Sequence, residues 1–232
     1  MKKAMTKTMT EALTIPAFTF SDELDATALI ALRKEMKQVH TKLTMLPFFI
    51  KACSIAMQEF PEINSHIDND LDEEGYIQRY VVKHSHNFSI AIDSPDGLTV
   101  PNIKDVQTKS ILQINDDVRA LSAKAASGGL VKADFEDGTF SVSSVGNIGG
   151  KYFVPTILRP QAAIIAIGQA HRVAKLVDDD ASPEGFRIQK ADAINFSISA
   201  DHRVIDGATC ARFAAKMKSL IENPNLMLLN MH

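Results

Sequence analysis

The sequence has no tryptophan, two cysteines, and no apolar run near the roughly 18 residues of a membrane-spanning helix. Cys53 and Cys210 each sit in an apolar, helix-like segment, so neither a disulfide framework nor a thiolate metal site is expected. Both read as core residues of a protein kept in a reducing compartment. A basic excess is missing too. The formal net charge is −3 and the pI about 6.2, which removes the cationic field that draws nucleic acid or anionic membrane to a protein. No cationic and then apolar leader opens the chain, so no secretory signal is read. Internal repeats, low-complexity tracts and Pro/Ser/Gly linkers are also lacking. The 232 residues, 45% of them hydrophobic, therefore read as one domain, 1–232, able to bury a large core.

What is present is a mixture of helix and strand patterns. "MKKAMTKTMTEALTIP" places Met5, Met9 and Ala12-Leu13 on one helical stripe before Pro16, which predicts a short amphipathic arm. "IPAFTFSDELD" is strand-like. "DATALIALRKEMK" then predicts a helix with Asp25 as N-cap, and "TMLPFFIKACSIAMQEFP" a second with Pro47 in its first turn. Between Ile63 and Val106 short β-branched runs alternate with the turn chemistry of "DNDLDEEG" and "DSPDG". "SILQINDDVRALSAKAASGG" is a third helix ending at Gly128-Gly129. "GTFSVSSVG", "AAIIAIGQAHRVAKLV" and "AINFSISA" are strand candidates, with "DDDASPEG" a hairpin tip, and "ATCARFAAKMKSLIEN" is a last helix stopped by Asn223-Pro224. Without strict βαβ alternation, this is an α/β sandwich with a mixed sheet.

The candidate chemistry sits in "SADHRVIDGA". His202 follows a strand pattern and precedes a helix, with Asp206 four residues on and Gly207 read as permitting a tight turn. Strand-to-helix junctions hold side chains firmly while facing a cleft. A histidine four residues before an aspartate is common on its own, and the bland reading is a surface or satisfied core imidazole. "VSSVGNIGG" adds hydroxyls and backbone donors upstream.

Four blocks in order, "SHNFSIAIDSPDGLTVPNI", "GTFSVSSVGNIGG", "DHRVIDGA" and "ENPNLMLL", resemble the catalytic domain of the dihydrolipoamide acyltransferases of 2-oxo acid dehydrogenase complexes. "KAMTKTMTEALTIP" and "LTVPNIKDVQ" are most similar to the branched-chain member. The resemblance implies a two-layer fold like chloramphenicol acetyltransferase, a homotrimer with active sites between subunits, and coenzyme A and dihydrolipoamide entering from opposite ends of a channel. It places the catalytic histidine on His202, the motif acid on Asp206 and the oxyanion-stabilising serine on Ser143. Coenzyme A contacts would fall on Arg33, Thr44, Asp93, Ser143, Ser144 and Gly168; the family's glutamine is replaced by Ser122, which leaves that contact open. The apolar tail "NPNLMLLNMH" either docks on its own domain or, as the resemblance implies, inserts into a neighbouring trimer and joins eight trimers into a 24-subunit cube.

These residue types suit thioester exchange. A thiol with a pKa near 8.5 is mostly protonated at neutral pH, so a neutral imidazole must take its proton. A fixed hydroxyl then stabilises the tetrahedral oxyanion. No metal is needed. Asp206 could orient the imidazole or instead anchor an arginine that shapes the turn. Arg33 reads either as a solvated helix cation or, with the resemblance, as a partner for coenzyme A phosphates. A metal enzyme using His84 and His86 with His202 is a weaker reading, since no third ligand recurs at metal spacing. An acetyl- or succinyl-transferring member, a catalytically silent core protein and an antibiotic acetyltransferase also stay open. The resemblance further implies a lipoyl group on a lipoyl domain, and decarboxylase and dihydrolipoamide dehydrogenase partners, reached through domains not seen in these residues. A bacterial cytoplasm and a mitochondrial matrix both fit.

Overall fold

The computed structural model describes residues 2–67, 71–95, 97–146 and 148–230. In chain order the elements are α1 (Lys2–Ala12), β1 (Ala17–Asp25), α2 (Thr27–Met36), α3 (Leu46–Ala56), β2 (Ser65–Ile67), β3 (Tyr80–Val82), β4 (Phe88–Ile90), β5 (Ile92–Ser94), β6 (Gly97–Thr99), β7 (Asn102–Ile103), α4 (Ile111–Ser127), β8 (Phe140–Ser144), β9 (Ala163–Ile167), β10 (His171–Asp178), β11 (Phe186–Asp201) and α5 (Gly207–Glu222). Asp68, Asn69, Asp70, Asp96 and Asn147, parts of the expected turns and donor loop, lie outside the described residues.

The main sheet runs β1-β11-β9-β8-β4-β7, and β10 pairs with the first half of β11. β8 is parallel to both neighbours and the other pairings are antiparallel, so the expected mixed sheet is present. Alternation gives it two unlike faces. Val142, Ile165, Ile167, Phe196 and Ile198 enter the main core. Paired residues on the other face are small and polar: Ser21 and Ser197 share a 2.9 Å hydrogen bond, and Thr19 and Ser199 one of 3.1 Å. There a small cluster of Ile15, Ile157 and Ile164 forms a separate apolar patch.

α3 is mostly apolar and is buried from Pro47 through Ala56; its two polar side chains are satisfied, Lys51 Nζ donating to the Gln107 and Lys109 carbonyls and Ser54 Oγ lying 2.7 Å from His86 Nδ1. α5 buries Cys210, Phe213, Ala214, Met217, Leu220 and Ile221 at helical spacing. Both cysteines are free and buried, and burial pushes the Cys210 thiol up to about 12. α4 begins with a capping box, Ser110 with Gln113, and ends at Gly128 in the left-handed conformation, φ 68°.

Several sequence expectations need correction. Asp25 is not the N-cap of α2; that slot is Ala26, and the Asp25 carboxylate instead accepts from the Thr27 amide at 3.0 Å. The run "AAIIAIGQAHRVAKLV" is two strands, because the chain leaves the sheet after Ile167 and returns as β10 to pair elsewhere. "AINFSISA" is the end of a 16-residue strand whose first half forms a ribbon with β10, closed by the expected tip. His84 lies on a bend and His86 in the irregular residues before β4, neither on a strand.

Candidate active site

β11 ends at Asp201, and the next residues turn sharply: the Val204 and Ile205 amides donate to the Asp201 carbonyl. That turn holds His202 from several directions. Its amide donates to the Pro16 carbonyl at 3.0 Å. Its ring packs against Phe18, centroids 5.1 Å apart and planes tilted by 51°. Its Nδ1–H donates to the Ile205 carbonyl at 3.1 Å. A carbonyl only accepts, so the proton of the neutral ring is on Nδ1 and the Nε2 lone pair is left as the basic site. The residue is exposed, so that lone pair is open to an incoming group.

Asp206 does not touch the imidazole, whose polar contact is the Ile205 carbonyl. It is the N-cap of α5: Oδ1 accepts from the Thr209 amide at 2.6 Å, and this hydrogen bond holds its carboxyl below the usual range. The acid that anchors an arginine is Asp201. Buried, it accepts from Arg203 Nε at 2.9 Å and Nη2 at 2.5 Å, and from the Arg203 amide at 3.1 Å. This fork brackets His202 and keeps the guanidinium protonated beyond its ordinary range. Sequence reasoning missed it, although "DHR" carries the signal: acid and base two apart flank the histidine. Gly207 does not provide a turn by a left-handed backbone. A Cβ there would sit 3.2 Å from the Phe18 ring, the same ring that packs on His202.

A second region lies on the helix-covered side of the sheet. A cavity of about 780 Å³ is lined by Arg33, Thr44, Asp93, Ser144 and Gly168, five of the six expected coenzyme A contacts. Arg119, Ser122 and Ile148 also line it and had no signal in the sequence beyond helical or loop position, apart from the noted Ser122. The Ser122 hydroxyl donates to the Val118 carbonyl of its own helix at 2.8 Å. The Thr44 amide and hydroxyl donate to Asn115 Oδ1 at 3.1 and 3.4 Å. Arg33 Nη1 makes a long 3.4 Å contact to the Leu43 carbonyl, and its buried Nε has no partner, so donors remain for an anion. Gly168 is required by close approach: a Cβ would lie 2.3 Å from the Lys151 carbonyl oxygen.

Ser143 is not part of that cavity. It neighbours Val142 and Ser144, which line it, and so turns to the opposite face. Ser143 pairs with Ala166, and Ala166 with Ser197, which puts Ser143 level with a residue five positions before His202. With about 3.4 Å per residue and about 4.8 Å per strand, the two are roughly 20 Å apart in one chain.

His84 is exposed, whereas His86 is buried with Nδ1 2.7 Å from Ser54 Oγ, so the two imidazoles do not converge. Among the described residues no three metal-binding side chains come together. Burial and the nearby Lys51 ammonium push the His86 pKa down to about 4.

Residues 1–229 match the family model of the 2-oxoacid dehydrogenases acyltransferase catalytic domain. The chain belongs to this family. It is 42% identical over 99% of its length to the lipoamide acyltransferase component of the branched-chain alpha-keto acid dehydrogenase complex of Mus musculus, covering 46% of that protein. The acetyltransferase component of the pyruvate dehydrogenase complex of Bacillus subtilis is 36% identical over 99% of the chain and is covered for 50%. The chain thus spans about half the length of the curated relatives it matches. Among solved structures, an Azotobacter vinelandii dihydrolipoamide acetyltransferase superposes with a TM-score of 0.86 at 31% identity, covering 98% of this chain and 90% of that one. That protein was investigated for the catalytic roles of a serine, a histidine and an asparagine four positions after the histidine. The cubic core of a pyruvate dehydrogenase multienzyme complex also gives 0.86, at 32% identity and the same coverage. Chloramphenicol acetyltransferase, at 0.56 and 15% identity, shares the fold. No helix among the described residues is long and apolar enough to cross a membrane.

Proposed function

We propose that this family member moves an acyl group between dihydrolipoamide and coenzyme A, with a branched-chain acyl group as the preferred cargo. The observation that carries the reading is the tautomer-fixed His202, with Nδ1–H on the Ile205 carbonyl and Nε2 open. His202 Nε2 takes the proton of the coenzyme A thiol as its sulfur attacks the thioester carbonyl. Ser143 donates its hydroxyl to the resulting oxyanion, worth roughly 3–4 kcal/mol of transition-state stabilisation. Collapse breaks the bond to the lipoyl sulfur, which takes the proton back from the imidazolium. Arg33, Thr44, Asp93, Ser144 and Gly168 hold coenzyme A, with Ser143 close to its sulfur rather than in the cavity. The lipoyl group arrives from outside these residues. Branched-chain preference rests on the higher identity to those relatives, 42% against 36%.

Base and hydroxyl must both lie about 3 Å from one reacting group. A separation of roughly 20 Å within one chain therefore favours a site shared between two copies, as in a homotrimer with His202 of one subunit facing Ser143 of the next. Exposed apolar side chains favour further assembly: Ile188 on the β10–β11 ribbon is 71% exposed, and in the tail Leu229 is 81% exposed while Met227 is buried. The tail thus docks on its own domain through Met227 and offers Leu228 and Leu229 to a neighbour, which fits a 24-subunit core; Met231 lies outside the described residues. Decarboxylase and dihydrolipoamide dehydrogenase partners, and a mitochondrial matrix or bacterial cytoplasm, follow from the same reading.

The test is transfer from isobutyryl-, acetyl- and succinyl-coenzyme A to free dihydrolipoamide. The branched thioester is expected to have the highest kcat/KM. A faster acetyl or succinyl reaction would move the chain to another branch of the family, and no transfer with any of the three would make it a silent core.

A further inference from the structure

The chain after β8 rounds the end of the sheet. Gly146 and Ile148 line the main cavity, on the helix-covered side. Tyr152 then reaches the other side, where its hydroxyl accepts from Asn195 Nδ2 at 2.7 Å. Asn195 follows Ile194, which lines the cavity, so it turns to the opposite face with Ser197 and, across Ala166, with Ser143.

Asn195 is 1% exposed and Tyr152 65% exposed, so a single hydroxyl pins a surface ring to a buried amide. Glu23, the residue opposite on β1, fixes how that amide is turned: its Oε2 lies 3.4 Å from the same nitrogen, and a carboxylate only accepts. Asn195 Oδ1 is buried without a partner among the described residues, so Tyr152 and Glu23 are what hold this side chain. The backbone beside Tyr152 is seated as closely. The Lys151 carbonyl fills the space a Cβ on Gly168 would need, the Gly168 amide donates to the Asn195 carbonyl at 2.8 Å, and the Gln169 amide to the Gly150 carbonyl at 2.9 Å. Just upstream, Gly149 and Gly150 have φ of 142° and 95°, in a region where glycine varies its backbone freely. Where Ile148 sits therefore depends on the anchors either side of the glycines, β8 before them and Tyr152 after.

We propose that Tyr152 is a positioning residue for acyl transfer: through Asn195 it holds residues 148–151 against Gly168, and so sets the gap through which the sulfur end of coenzyme A reaches Ser143. The inference rests on the reading that the main cavity takes coenzyme A and that Ser143 holds the oxyanion. Reacting atoms must lie about 3–3.5 Å apart, and a displacement of about 1 Å costs up to 10²-fold in rate. On the same reading the phosphates of coenzyme A lie by Arg33 on α2, away from this clamp. Turnover and affinity should therefore separate.

The experiment compares Tyr152→Phe and Tyr152→Ala with the wild type in isobutyryl transfer from coenzyme A to free dihydrolipoamide, in coenzyme A binding by calorimetry, and in urea unfolding. Ser65→Ala on β2 is the control, since it removes another buried hydrogen bond, the 2.7 Å one to the Glu62 carbonyl, elsewhere in the fold. Both Tyr152 variants are expected to lower kcat by about tenfold with coenzyme A affinity within about twofold. Ser65→Ala should lower the urea midpoint as they do and keep kcat. A Tyr152→Phe variant with full kcat would overturn the clamp, whatever Tyr152→Ala does, because the ring and not the hydroxyl would then hold the chain. So would a kcat loss in Ser65→Ala that matches its loss of stability, or an affinity loss in Tyr152→Phe as large as the kcat loss. A wild type that binds coenzyme A but transfers nothing would overturn the transfer reading together with the clamp.

Discussion

The histidine turn and the cavity beside β8 are built in opposite ways. Around His202 nearly everything that fixes the side chain comes from residues 201–206, with only Pro16 and Phe18 reaching in from the start of the chain. The cavity is assembled from helices α2, α3 and α4 and strands β4, β5, β8, β9 and β11, segments that span Arg33 to Ile194. A local turn can be pre-organised by a short motif, so its geometry survives changes elsewhere. A cavity made from distant elements depends on the whole core. The two also lie far apart: within one chain His202 and Ser143 are separated by roughly 20 Å.

The largest effect tests that division. His202→Ala should lower acyl transfer by about 10³-fold or more, with coenzyme A binding by calorimetry unchanged, because the base acts on a proton and not on the nucleotide. Ser143→Ala should lower kcat by about 10²-fold with little change in KM. Co-refolding the two variants sharpens the comparison. Random mixing in a shared-site trimer restores an intact pair at about a quarter of the sites, whereas sites contained in one chain regain nothing. Activity of the mixture no higher than the sum of its parts would sink the shared site.

Breaking the turn itself should be costly. Arg203→Ala takes both guanidinium hydrogen bonds from the buried Asp201 carboxylate and leaves it the backbone amide of residue 203; with the arginine itself part-exposed, the loss is about 1–3 kcal/mol. Urea unfolding measures this. The double variant Asp201→Asn, Arg203→Leu removes the orphaned charge and should regain most of the loss; a single variant within about 0.5 kcal/mol of wild type would show that the fork does not hold the turn.

The same contrast governs what could be read from the residues. Helix ends marked by Gly128 and by Asn223-Pro224 were legible because these stop signals are local, whereas the start of α2 was placed one residue early, at Asp25 instead of Ala26. His202 was legible because a short motif builds its turn. The split of "AAIIAIGQAHRVAKLV" into two strands was not, because the break depends on Lys151 and Asn195, the latter's carbonyl accepting from the Gly168 amide. Arg119 was equally hidden, since only tertiary packing turns one helix cation toward a cavity and leaves another in water. The role of Asp206 was ambiguous for a related reason: a motif supplies an acid without saying whether its oxygens meet a ring or an amide.

A smaller effect concerns stability, on the core side of the comparison. His86 has a folded pKa of about 4 against about 6.5 for a free imidazole, so the unfolded chain binds the extra proton between these values. Stability is then fully present above pH 6.5 and lost as pH falls toward 4, by about 2 kcal/mol between pH 7.5 and 5. The groups facing the ring are the Ser54 hydroxyl, the Lys51 ammonium and the Gln107 side chain that accepts from the His86 amide. His86→Gln should flatten this part of the urea-midpoint profile. An unchanged slope would assign acid sensitivity to other groups.

The smallest effect decides the role of Asp206. As the N-cap of α5 it needs only a short side-chain oxygen, which asparagine also supplies, and an asparagine stands four residues past the histidine in the Azotobacter relative. Asp206→Asn should therefore keep the urea midpoint unchanged and kcat within about threefold. Asp206→Ala should lower the urea midpoint measurably as the Thr209 amide loses its acceptor. If the carboxylate instead orients the imidazole once a second subunit closes over the site, Asp206→Asn would lower kcat by about 10²-fold or more at unchanged stability and shift the acidic limb of the kcat/KM profile with pH. A full kcat with the expected loss in the alanine variant leaves His202 oriented by the Ile205 carbonyl and the Phe18 ring, and the turn complete without any carboxylate on the ring.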